Sequence, residues 1–474
     1  MKGYNLLSGH SLALWATFAI TALSQSCGST LNAGYPAPIA GDGWAARLIA
    51  QNLGRPRSIL FDSNGGLLLV QSGKGIVHMT LTDGGGSCVE LSSTTTLINS
   101  TSLNHGIALS QDGRTLYASS SDAVYSWSYD PETVAVGDTN RTLVIGMDNS
   151  AHTTRTLLIS QFEPGMLIVS RGSGDNIDPL AEAVTTGHSQ LKAFNVSGFD
   201  DMSTAYDFTT SGRLLGWGLR NSVGVAEEPL TGGIYTVENS ADQISRSGTD
   251  VHQNNPGEEM NYHGVLNSTD NQGGNYGYPS CFAVWNTSIP EAGDLRIGSQ
   301  MRIDETANDT ITDAVCASST VSPRLTFQAH MAPLDIVFSA NGTEAYVSFH
   351  GSWDRSDPVG YKVSSLAFEN GEPVSAADST TSTTDILVNA DNGNCPENCF
   401  RPVGLALDGQ QRLFMTSDST GELYVLVKSA EEGTPVTPTE SSPTPSTTES
   451  GALHQWTGSN SLWVLVAVVI CSMW

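Results

Sequence analysis

The chain has 474 residues, and its 48 Asp and Glu against 21 Lys and Arg give a formal net charge of −27 at pH 7. So acidic a protein is a poor partner for nucleic acid, because binding a polyanion relies on cationic contacts. Apolar residues make up 39% of the chain and glycine contributes 48 residues. This composition fits an all-β fold with many turns and enough apolar surface for sheet cores.

The first 24 residues are typical of a secretory signal peptide. Lys2 precedes the apolar run LALWATFAITAL, and Ala22-Leu23-Ser24 matches a cleavage site of small residues. A membrane anchor is the alternative interpretation, but the apolar run is short. We therefore expect residues 1–24 to be removed and the protein to enter an oxidising compartment.

Six stretches of the chain repeat one pattern, in which an apolar strand, a turn and a second strand ending in small polar residues follow one another. They begin at Pro56, His105, Arg155, Asn221, Pro333 and Pro402. Radial repetition of short antiparallel sheets is typical of a β-propeller. The sequence therefore predicts a six-bladed β-propeller of four-stranded antiparallel blades over residues 25–430.

A large basic or imidazole side chain lies at the start of five of these repeats. The five residues are Arg57, His105, Arg155, Arg220 and Arg401. Because the first strand of each blade lines the central channel, we expect these side chains to converge on one axial site. Guanidinium groups bind carboxylates with two parallel hydrogen bonds, so the site suits a ligand with several carboxylates. Ion pairs between blades are the alternative.

Two further candidates come from individual positions. His105 could act as a general base on the channel axis, since an imidazole titrates near working pH; a structural histidine is the alternative. In the run HGSWDR, which ends the fifth repeat, Trp353 could stack on a planar ring or a sugar face, or pack between blades. The segment from Gln243 to Gln328 is too long for a plain connection between blades and is expected to carry function.

The run Asn255–Asn261 contains Glu258 and Glu259 among clustered oxygen ligands of the kind that Ca²⁺ prefers. A solvated acidic loop is the alternative, because no complete calcium-loop motif is present.

The chain also lacks the G-x-S-x-G, H-E-x-x-H, P-loop and dinucleotide-binding motifs. A redox enzyme with this sequence would need a cofactor other than a Rossmann-bound nucleotide.

Cysteines and glycosylation motifs also indicate a secreted protein. Six cysteines precede the C-terminal tail, and we expect them to pair as Cys27–Cys88, Cys281–Cys316 and Cys395–Cys399. Seven N-x-S/T motifs indicate a glycoprotein; they lie at Asn99, Asn140, Asn195, Asn267, Asn286, Asn308 and Asn341.

The end of the chain is typical of a lipid-anchored protein. Residues 431–450 are rich in Pro, Ser and Thr and are expected to form an O-glycosylated stalk. In residues 451–474, small residues and a polar spacer precede an apolar run from Leu462 to Trp474. This order matches a glycosylphosphatidylinositol attachment signal, whose tail is removed. A tail anchor or an unprocessed tail remains the alternative.

Several motifs together resemble the soluble quinoprotein glucose/sorbosone dehydrogenases, and most of all the fungal pyrroloquinoline-quinone (PQQ) dependent pyranose dehydrogenases. They are GRPRSILFD, LNHGIALS, WGLRNSVGVA, NPGEEMNYHG, GGNYGYPSCF, HGSWDRSDPVG and CFRPVGLALD, between about Asn32 and Lys428. The family fold is a six-bladed propeller. Its cofactors are PQQ, which has three carboxylates and a planar quinone, and Ca²⁺.

The resemblance implies roles for individual residues. His105 matches the catalytic base, and Arg220 and Asn221 match positions that flank the quinone. Arg401 matches a carboxylate-binding residue, while looser cofactor matches fall on Arg57, His350, Trp353 and Arg355. The backbone at Ser240 and Ala241 matches the active-site calcium position. A structural calcium position lies near Glu258 and Glu259.

The implied reaction is oxidation of a pyranose at C1, with His105 taking the hydroxyl proton and Arg220 stabilising charge on the quinone oxygen. Electrons would pass to an external acceptor such as a haem protein, a copper oxygenase or a small quinone. The anchor would place the protein on the outer leaflet of the membrane. A propeller that binds carbohydrate without redox chemistry is the alternative, and a calcium-dependent lactonase is a third possibility.

Overall fold

The structure is a computed structural model that describes residues 27, 28, 30–197 and 204–429. The expected signal peptide, stalk and attachment signal, at 1–24, 431–450 and 451–474, lie outside these residues. Within the described ranges, no helix has both the length and the apolar character needed to cross a membrane.

Six antiparallel sheets of four principal strands follow one another along the chain, and they confirm the expected propeller. Blade I comprises Pro56–Phe61, Leu67–Gln71, Gly75–Asp83 and Val89–Asn99. Blade II comprises Leu103–Leu109, Thr115–Ser120, Val124–Asp130 and Arg141–Ile145. Blade III comprises Leu157–Ile159, Met166–Arg171, Gln190–Asn195 and Arg213–Trp217.

The last three blades repeat the arrangement. Blade IV comprises Ser222–Glu227, Gly233–Glu238, Glu258–Val265 and Leu325–Phe327. Blade V comprises Pro333–Phe338, Glu344–Phe349, Lys362–Glu369 and Thr383–Val388. Blade VI comprises Pro402–Leu407, Leu413–Ser417, Glu422–Lys428 and Trp44–Ala50. The first strand of each blade contacts the first strands of both neighbours, so six inner strands surround one channel.

The remaining elements are short and lie at blade edges or in connections. The two-residue strands added to blades are Ile39–Ala40, Ala135–Val136, Tyr206–Asp207, Gly274–Asn275 and Glu372–Pro373. Small separate hairpins are Ser245–Arg246 with Thr249–Asp250 and Cys281–Ala283 with Gln300–Arg302. Among the described residues, the α-helix is Asp313–Ser319 and the 3₁₀ turns are Pro179–Glu182, Val184–Thr186, His252–Asn254, Asp304–Thr306 and Asn392–Asn394.

The ring closes because the strand Trp44–Ala50, from the N-terminal part of the chain, pairs with Glu422–Lys428 and completes blade VI. Arg412 of blade VI also reaches across to blade I, where its Nη1 lies 2.8 Å from an oxygen of Asp83. The same guanidinium donates a 2.6 Å hydrogen bond to Asp408 within its own blade. The first and last blades are therefore joined by both a β ladder and a charged link.

Each pair of adjacent blades shares a separate apolar core, which explains why the second strand of blade I reads LLLV without polar alternation. Leu67 and Leu69 pack in the core shared with blade VI, while Leu68 and Val70 pack in the core shared with blade II. Successive side chains of a strand point to opposite faces of its sheet. A strand that is covered on both faces is therefore apolar throughout.

The insertion between Gln243 and Gln328 supplies the outer strands of blade IV as well as the hairpin Cys281–Ala283 with Gln300–Arg302 and the helix Asp313–Ser319.

All three expected disulfides are present, at Cys27–Cys88, Cys281–Cys316 and Cys395–Cys399. The second of them ties the helix to this hairpin. The third lies immediately before Phe400 and Arg401.

Hydroxyl groups link neighbouring blades close to the channel, which accounts for the small polar residues that end the second strands. The Ser119 hydroxyl donates a 2.7 Å hydrogen bond to the Arg155 carbonyl of the next blade. The Ser348 hydroxyl donates in the same way to Val403 at 2.6 Å, and the Thr416 hydroxyl to Arg57 at 2.9 Å. These links hold the inner strands close together.

Glycine is required where the inner strands approach most closely, and Gly404 is an example. A Cβ atom at Gly404 would lie 2.3 Å from the Arg57 carbonyl oxygen. Because this contact is with backbone, we expect Gly404→Ala to lower the free energy of unfolding by about 1–3 kcal/mol. Urea denaturation of the variant measures the change.

Gly409, in a turn of the same blade, provides the matched control. A Cβ atom there would meet nothing within 4 Å, so Gly409→Ala should leave the unfolding midpoint almost unchanged. Equal stability of the two variants would contradict the close approach of the inner strands.

Candidate functional site

An open cavity of about 170 Å³ lies at the end of the channel where inner strands begin and second strands end. The expected site residues that line it are Arg220, Asn221, Ser240, Glu258, His350, Trp353 and Arg401. Polar residues that the sequence reasoning missed also line it, namely His152, Asn239, Asp242, His330 and Asp354.

The residues at the start of the inner strands are turned towards the axis by β-bulges. The pairing register shifts near the start of the inner strand in blades I, II, IV, V and VI. A bulge bends its strand and re-aims the side chains beside it. Blade III has no such shift, and Arg155 lies two residues before its inner strand.

Arg155 is therefore not part of the axial cluster that the repeats predict. Its side chain is fully buried, and its guanidinium donates to the carbonyl oxygens of Met147 at 2.6 Å and His152 at 2.7 Å. In this position Arg155 supports the loop that carries His152. The expectation that five basic residues converge is wrong for this one.

Arg220 lies in a polar cage on one wall of the cavity. Its Nη2 donates to the Asn176 side chain at 2.8 Å and lies 3.1 Å from an oxygen of Asp242. Its backbone N–H donates a 2.6 Å hydrogen bond to the buried Glu238 carboxylate. The cage fixes one permanent positive charge at the cavity wall beside Asn221.

A second cationic group lies across the cavity, where Arg401 donates to the carbonyl oxygens of His350 at 3.1 Å and Gly351 at 3.0 Å. The guanidinium also lies over the Tyr361 ring, 5.6 Å from its centroid. Burial lowers the pKa of Arg401, but an arginine remains charged. Carbonyl partners leave that charge unneutralised, so an anion in the cavity would be attracted to it.

Arg57 and His350 share one carboxylate. Arg57 Nη1 lies 2.6 Å from one oxygen of Asp418, and His350 Nε2 lies 2.8 Å from the other. Burial alone would raise the pKa of Asp418, but these two partners outweigh it and lower the pKa. Arg57 does not line the cavity itself and is placed behind His350 by this shared carboxylate.

His105 lies behind Arg57 and is only 2% exposed. Arg57 Nε donates a 3.3 Å hydrogen bond to its Nδ1, and Ser58 Oγ lies 3.4 Å from its Nε2. Burial, together with the charge of Arg57, lowers the pKa of His105 well below its usual range. The imidazole is therefore neutral at working pH, as a base must be, but it does not line the cavity.

Three side chains from separate loops form a cluster that could bind a cation. His330 Nδ1 lies 3.7 Å from an oxygen of Asp242 and 3.3 Å from an oxygen of Asp354. Both carboxylate oxygens of Asp354 are buried and accept no hydrogen bond. A buried carboxylate without donors is costly, and burial raises the pKa of Asp354. A divalent cation would compensate that charge.

Glu258 links two of the loops that carry this cluster. Its two oxygens accept hydrogen bonds from the backbone N–H groups of Ser240, at 2.7 Å, and Ala332, at 3.1 Å. Burial raises the pKa of Glu258 to about 7. Both oxygens of Glu258 are therefore engaged by backbone N–H groups near Asp242 and His330. They are not free to act as open metal ligands.

The structure places three other expected site residues away from the cavity. Ala241 and Glu259 are buried, and Glu259 is paired across the ladder with Glu238. Arg355 is directed along an exposed loop, where it donates to the Asp357 carbonyl at 3.0 Å. None of these three side chains lines the cavity.

His152 is a further candidate in the cavity wall. Its Nδ1 lies 2.8 Å from Ser173 Oγ, whose own proton is directed to the Asp175 carbonyl 2.7 Å away. The imidazole must therefore carry its proton on Nδ1 and a lone pair on Nε2. Burial lowers the pKa of His152 to about 4, so Nε2 is available to accept a hydrogen bond from a ligand.

Taken together, the fold and the cavity define a six-bladed propeller with one cationic, carboxylate-lined site on its axis. A family model described as TrAA12-like matches residues 38–429, and the chain belongs to this family.

The chain is also similar to curated fungal proteins. It is 50% identical over 426 residues to the pyrroloquinoline quinone-dependent sugar dehydrogenase of Hypocrea jecorina, covering 89% of this chain and 97% of that protein. It is 36% identical over 403 residues to a pyrroloquinoline quinone-dependent pyranose dehydrogenase of Coprinopsis cinerea. That match covers 81% of this chain but 54% of the longer relative.

Solved structures agree with the family assignment. The calcium structure of the Trichoderma reesei family AA12 enzyme superposes with a TM-score of 0.83 at 52% identity, covering 85% of this chain and 99% of that one. The holo PQQ domain of Coprinopsis cinerea pyranose dehydrogenase gives 0.79 at 33% identity, with coverages of 85% and 99%. These matches support the same propeller for this chain.

Proposed function

We propose that this protein is a PQQ-dependent dehydrogenase that oxidises an aldose or ketoaldose pyranose at C1 and delivers the electrons to an external acceptor. The observation that carries the proposal is the pair of guanidinium groups, Arg220 and Arg401, on the walls of one axial cavity. The names of the fungal relatives supply the cofactor and the substrate class.

The residues of the cavity fit such a cofactor chemically. PQQ carries three carboxylates on a planar ring system, and Arg401 presents a charge that only carbonyl oxygens contact among the hydrogen bonds of the described residues. Arg220 supplies a second charge, and the buried Asn221 supplies an amide beside it. Trp353, which is 62% exposed at the rim, offers an aromatic face.

The cavity also fits the calcium ion that accompanies the cofactor in the family. Ca²⁺ prefers carboxylate and carbonyl oxygens, and Asp242 and Asp354 direct two carboxylates to one point beside His330. The unpartnered oxygens of Asp354 favour this assignment. We infer that these side chains contribute to the calcium site whose backbone ligands are expected at Ser240 and Ala241.

When bound, PQQ supplies a quinone that accepts two electrons from the sugar. The chain's own residues bind, orient and handle protons. Arg220 and Arg401 hold the anionic cofactor, and a permanent charge beside a quinone oxygen stabilises developing negative charge. His105 is neutral and would serve as the base for the C1 hydroxyl proton once the hydrogen bond from Arg57 Nε to its Nδ1 is released.

A binding measurement with the purified protein tests the proposal. Cofactor-free protein should bind PQQ in the presence of Ca²⁺ and acquire dye-linked sugar dehydrogenase activity. Arg401→Ala should weaken PQQ binding by roughly 10- to 150-fold, because one charge-assisted hydrogen-bonded contact is worth about 1.5–3 kcal/mol. Isothermal titration calorimetry measures the affinity.

Arg114→Ala is the matched control, since Arg114 is exposed and pairs with Asp130 on the surface of blade II. It should bind PQQ as the wild type does. Failure of the wild type to bind PQQ at all would contradict the redox function and favour the alternative of a carbohydrate-binding propeller.

We also propose that the mature protein is a cell-surface glycoprotein held on the outer membrane leaflet by a lipid anchor. The signal peptide, the seven glycosylation motifs and the C-terminal attachment signal support this location. In a fungal host, a phosphatidylinositol-specific phospholipase should release the protein. Mass spectrometry that recovers Trp474 in the mature chain would contradict it.

A further inference from the structure

The Arg401 guanidinium is held in the cavity wall by two carbonyl oxygens and one aromatic ring. It donates hydrogen bonds to the carbonyl oxygens of His350 and Gly351, and it lies over the Tyr361 ring, 5.6 Å from the ring centroid. A guanidinium within about 6 Å of an aromatic centroid is attracted to the negative face of the ring. The ring therefore supplies a contact that the carbonyl groups do not.

Tyr361 has a backbone conformation that a residue with a large side chain rarely adopts. Its φ is +54°, in the left-handed region, where a Cβ atom causes strain. It precedes the strand Lys362–Glu369, and its side chain is fully buried. A glycine would adopt the same conformation without strain. The strain at this position indicates that the tyrosine side chain has a specific role.

Three contacts fix the Tyr361 ring behind the cavity. Its hydroxyl donates a hydrogen bond to the Ser352 carbonyl, and a Cβ atom at Gly351 would lie 2.3 Å from Tyr361 Cδ1. The Tyr361 carbonyl accepts a 3.0 Å hydrogen bond from the Asn389 amide. Gly351, Ser352 and Arg401 all line the cavity. Tyr361 therefore packs directly behind the wall that these three residues form.

The segment that leads to Arg401 is attached to the same tyrosine. The Cys395–Cys399 disulfide packs with Tyr361 in one small buried cluster. The Asn389 amide that holds the Tyr361 carbonyl also donates a 3.2 Å hydrogen bond to the carbonyl of Phe400, which immediately precedes Arg401. The disulfide and the amide thus fix the ring relative to the backbone of Arg401.

Fixing a guanidinium before it meets its ligand strengthens binding. An arginine side chain has many rotamers, and ordering a rotamer-rich side chain on binding costs affinity. A side chain that is already held loses less conformational freedom when its ligand arrives. This argument applies to Arg401 under the proposed function, on which the inference rests, because Arg401 would bind a carboxylate of PQQ.

We propose that Tyr361 is a positioning residue of the cofactor site. Its ring, held by the Cys395–Cys399 disulfide, keeps the Arg401 guanidinium in the cavity wall, ready for a carboxylate of the cofactor. Tyr361 does not line the cavity itself and acts only through Arg401. Loss of the ring should therefore weaken cofactor binding only while Arg401 is present.

Calorimetric titration of the cofactor-free protein with PQQ, in the presence of Ca²⁺, measures the effect. Tyr361→Leu should raise the PQQ dissociation constant by roughly 5- to 30-fold, because the cation–ring contact is lost. Tyr361→Phe keeps the ring and should stay within about threefold of the wild type. Tyr235→Phe is the matched control, since Tyr235 is another buried tyrosine and donates to the Gly371 carbonyl at 2.7 Å within the protein core.

A double-mutant cycle separates positioning from packing. In the Arg401→Ala background, Tyr361→Leu should change the PQQ dissociation constant by less than about twofold, because the guanidinium that the ring holds is already absent. Damage to packing alone would weaken binding by the same factor whether or not Arg401 is present.

Removal of the disulfide tests its share in the same way. The paired substitution Cys395→Ala and Cys399→Ala should raise the PQQ dissociation constant at least about threefold in the wild-type background and by less than about twofold in Arg401→Ala. The paired substitution Cys281→Ala and Cys316→Ala removes a disulfide that ties the helix to its hairpin. It should leave PQQ affinity unchanged.

The possible outcomes are distinct. A PQQ affinity of Tyr361→Leu within twofold of the wild type, or an equal loss with and without Arg401, overturns the positioning role of Tyr361. Unchanged affinity after removal of the Cys395–Cys399 disulfide overturns the role of the disulfide. If the wild type binds no PQQ, the proposed dehydrogenase function itself fails, and this inference fails with it.

Discussion

His105→Ala should lower the maximal rate of sugar oxidation by about 10²- to 10⁴-fold, the usual contribution of a general base. PQQ affinity should change by less than about threefold, because the carboxylate-binding charges belong to Arg220 and Arg401, which line the cavity. Steady-state kinetics and calorimetry on the same preparation measure the two quantities. A large loss of rate without a loss of affinity is the signature of a base.

The matched control is His263→Gln, which replaces another buried histidine, hydrogen bonded to Thr236 at 2.8 Å within blade IV. This variant should lose stability only in proportion to its lost hydrogen bond, and its turnover should match the wild type. Near wild-type turnover in His105→Ala would move the base to a histidine that lines the cavity, His350 or His152. Complete loss of PQQ binding would make His105 a structural residue.

The repeats allowed the fold to be predicted because a propeller imposes the same pattern on every blade. Each inner pair of strands is covered on both faces, so its sequence is apolar, and its end is marked by a hydroxyl that binds the next blade. Ser119 and Thr416 illustrate this at different points of the chain. The insertion before Gln328 breaks the spacing without breaking the pattern, so the number of blades could still be counted.

The repeat itself predicted two of the residues that line the cavity. Arg220 and Arg401 precede inner strands with a bulge, and both line the cavity. Arg155 occupies the corresponding sequence position in a blade whose inner strand pairs without a register shift, and its side chain is buried in the protein. The repeated sequence pattern does not show where bulges occur, because a bulge depends on how a strand pairs with its neighbour.

The cation-binding cluster could not be found from the repeats, because its members come from three loops with no common pattern. Asp242 follows the Ser240-Ala241 pair that the resemblance singled out, and Asp354 lies inside the HGSWDR motif. Both therefore had a signal close by in the sequence. His330 had none, and Glu258 holds its loop close to that of Asp242 by accepting hydrogen bonds from the backbone N–H groups of Ala332 and Ser240.

Calcium should stabilise the cofactor-free wild type but not Asp354→Asn. Both oxygens of Asp354 are buried and accept no hydrogen bond, so a bound cation would compensate their charge, and neutralising the side chain removes the ligand. At a calcium concentration of 100 times the dissociation constant, binding should raise the free energy of unfolding by about 2.7 kcal/mol. Urea denaturation with added calcium or with a chelator measures this difference.

The calcium-free proteins should show the opposite order, with Asp354→Asn at least as stable as the wild type. Burial raises the pKa of Asp354, which means that folding disfavours its charged form. The wild type therefore loses stability as pH rises from the unfolded-state pKa through the folded-state value, and the asparagine variant does not. Asp357→Asn, exposed on the same loop, should retain the calcium response. If calcium stabilises Asp354→Asn as much as the wild type, the ion binds elsewhere, and the buried pair of Glu238 and Glu259 becomes the next site to test.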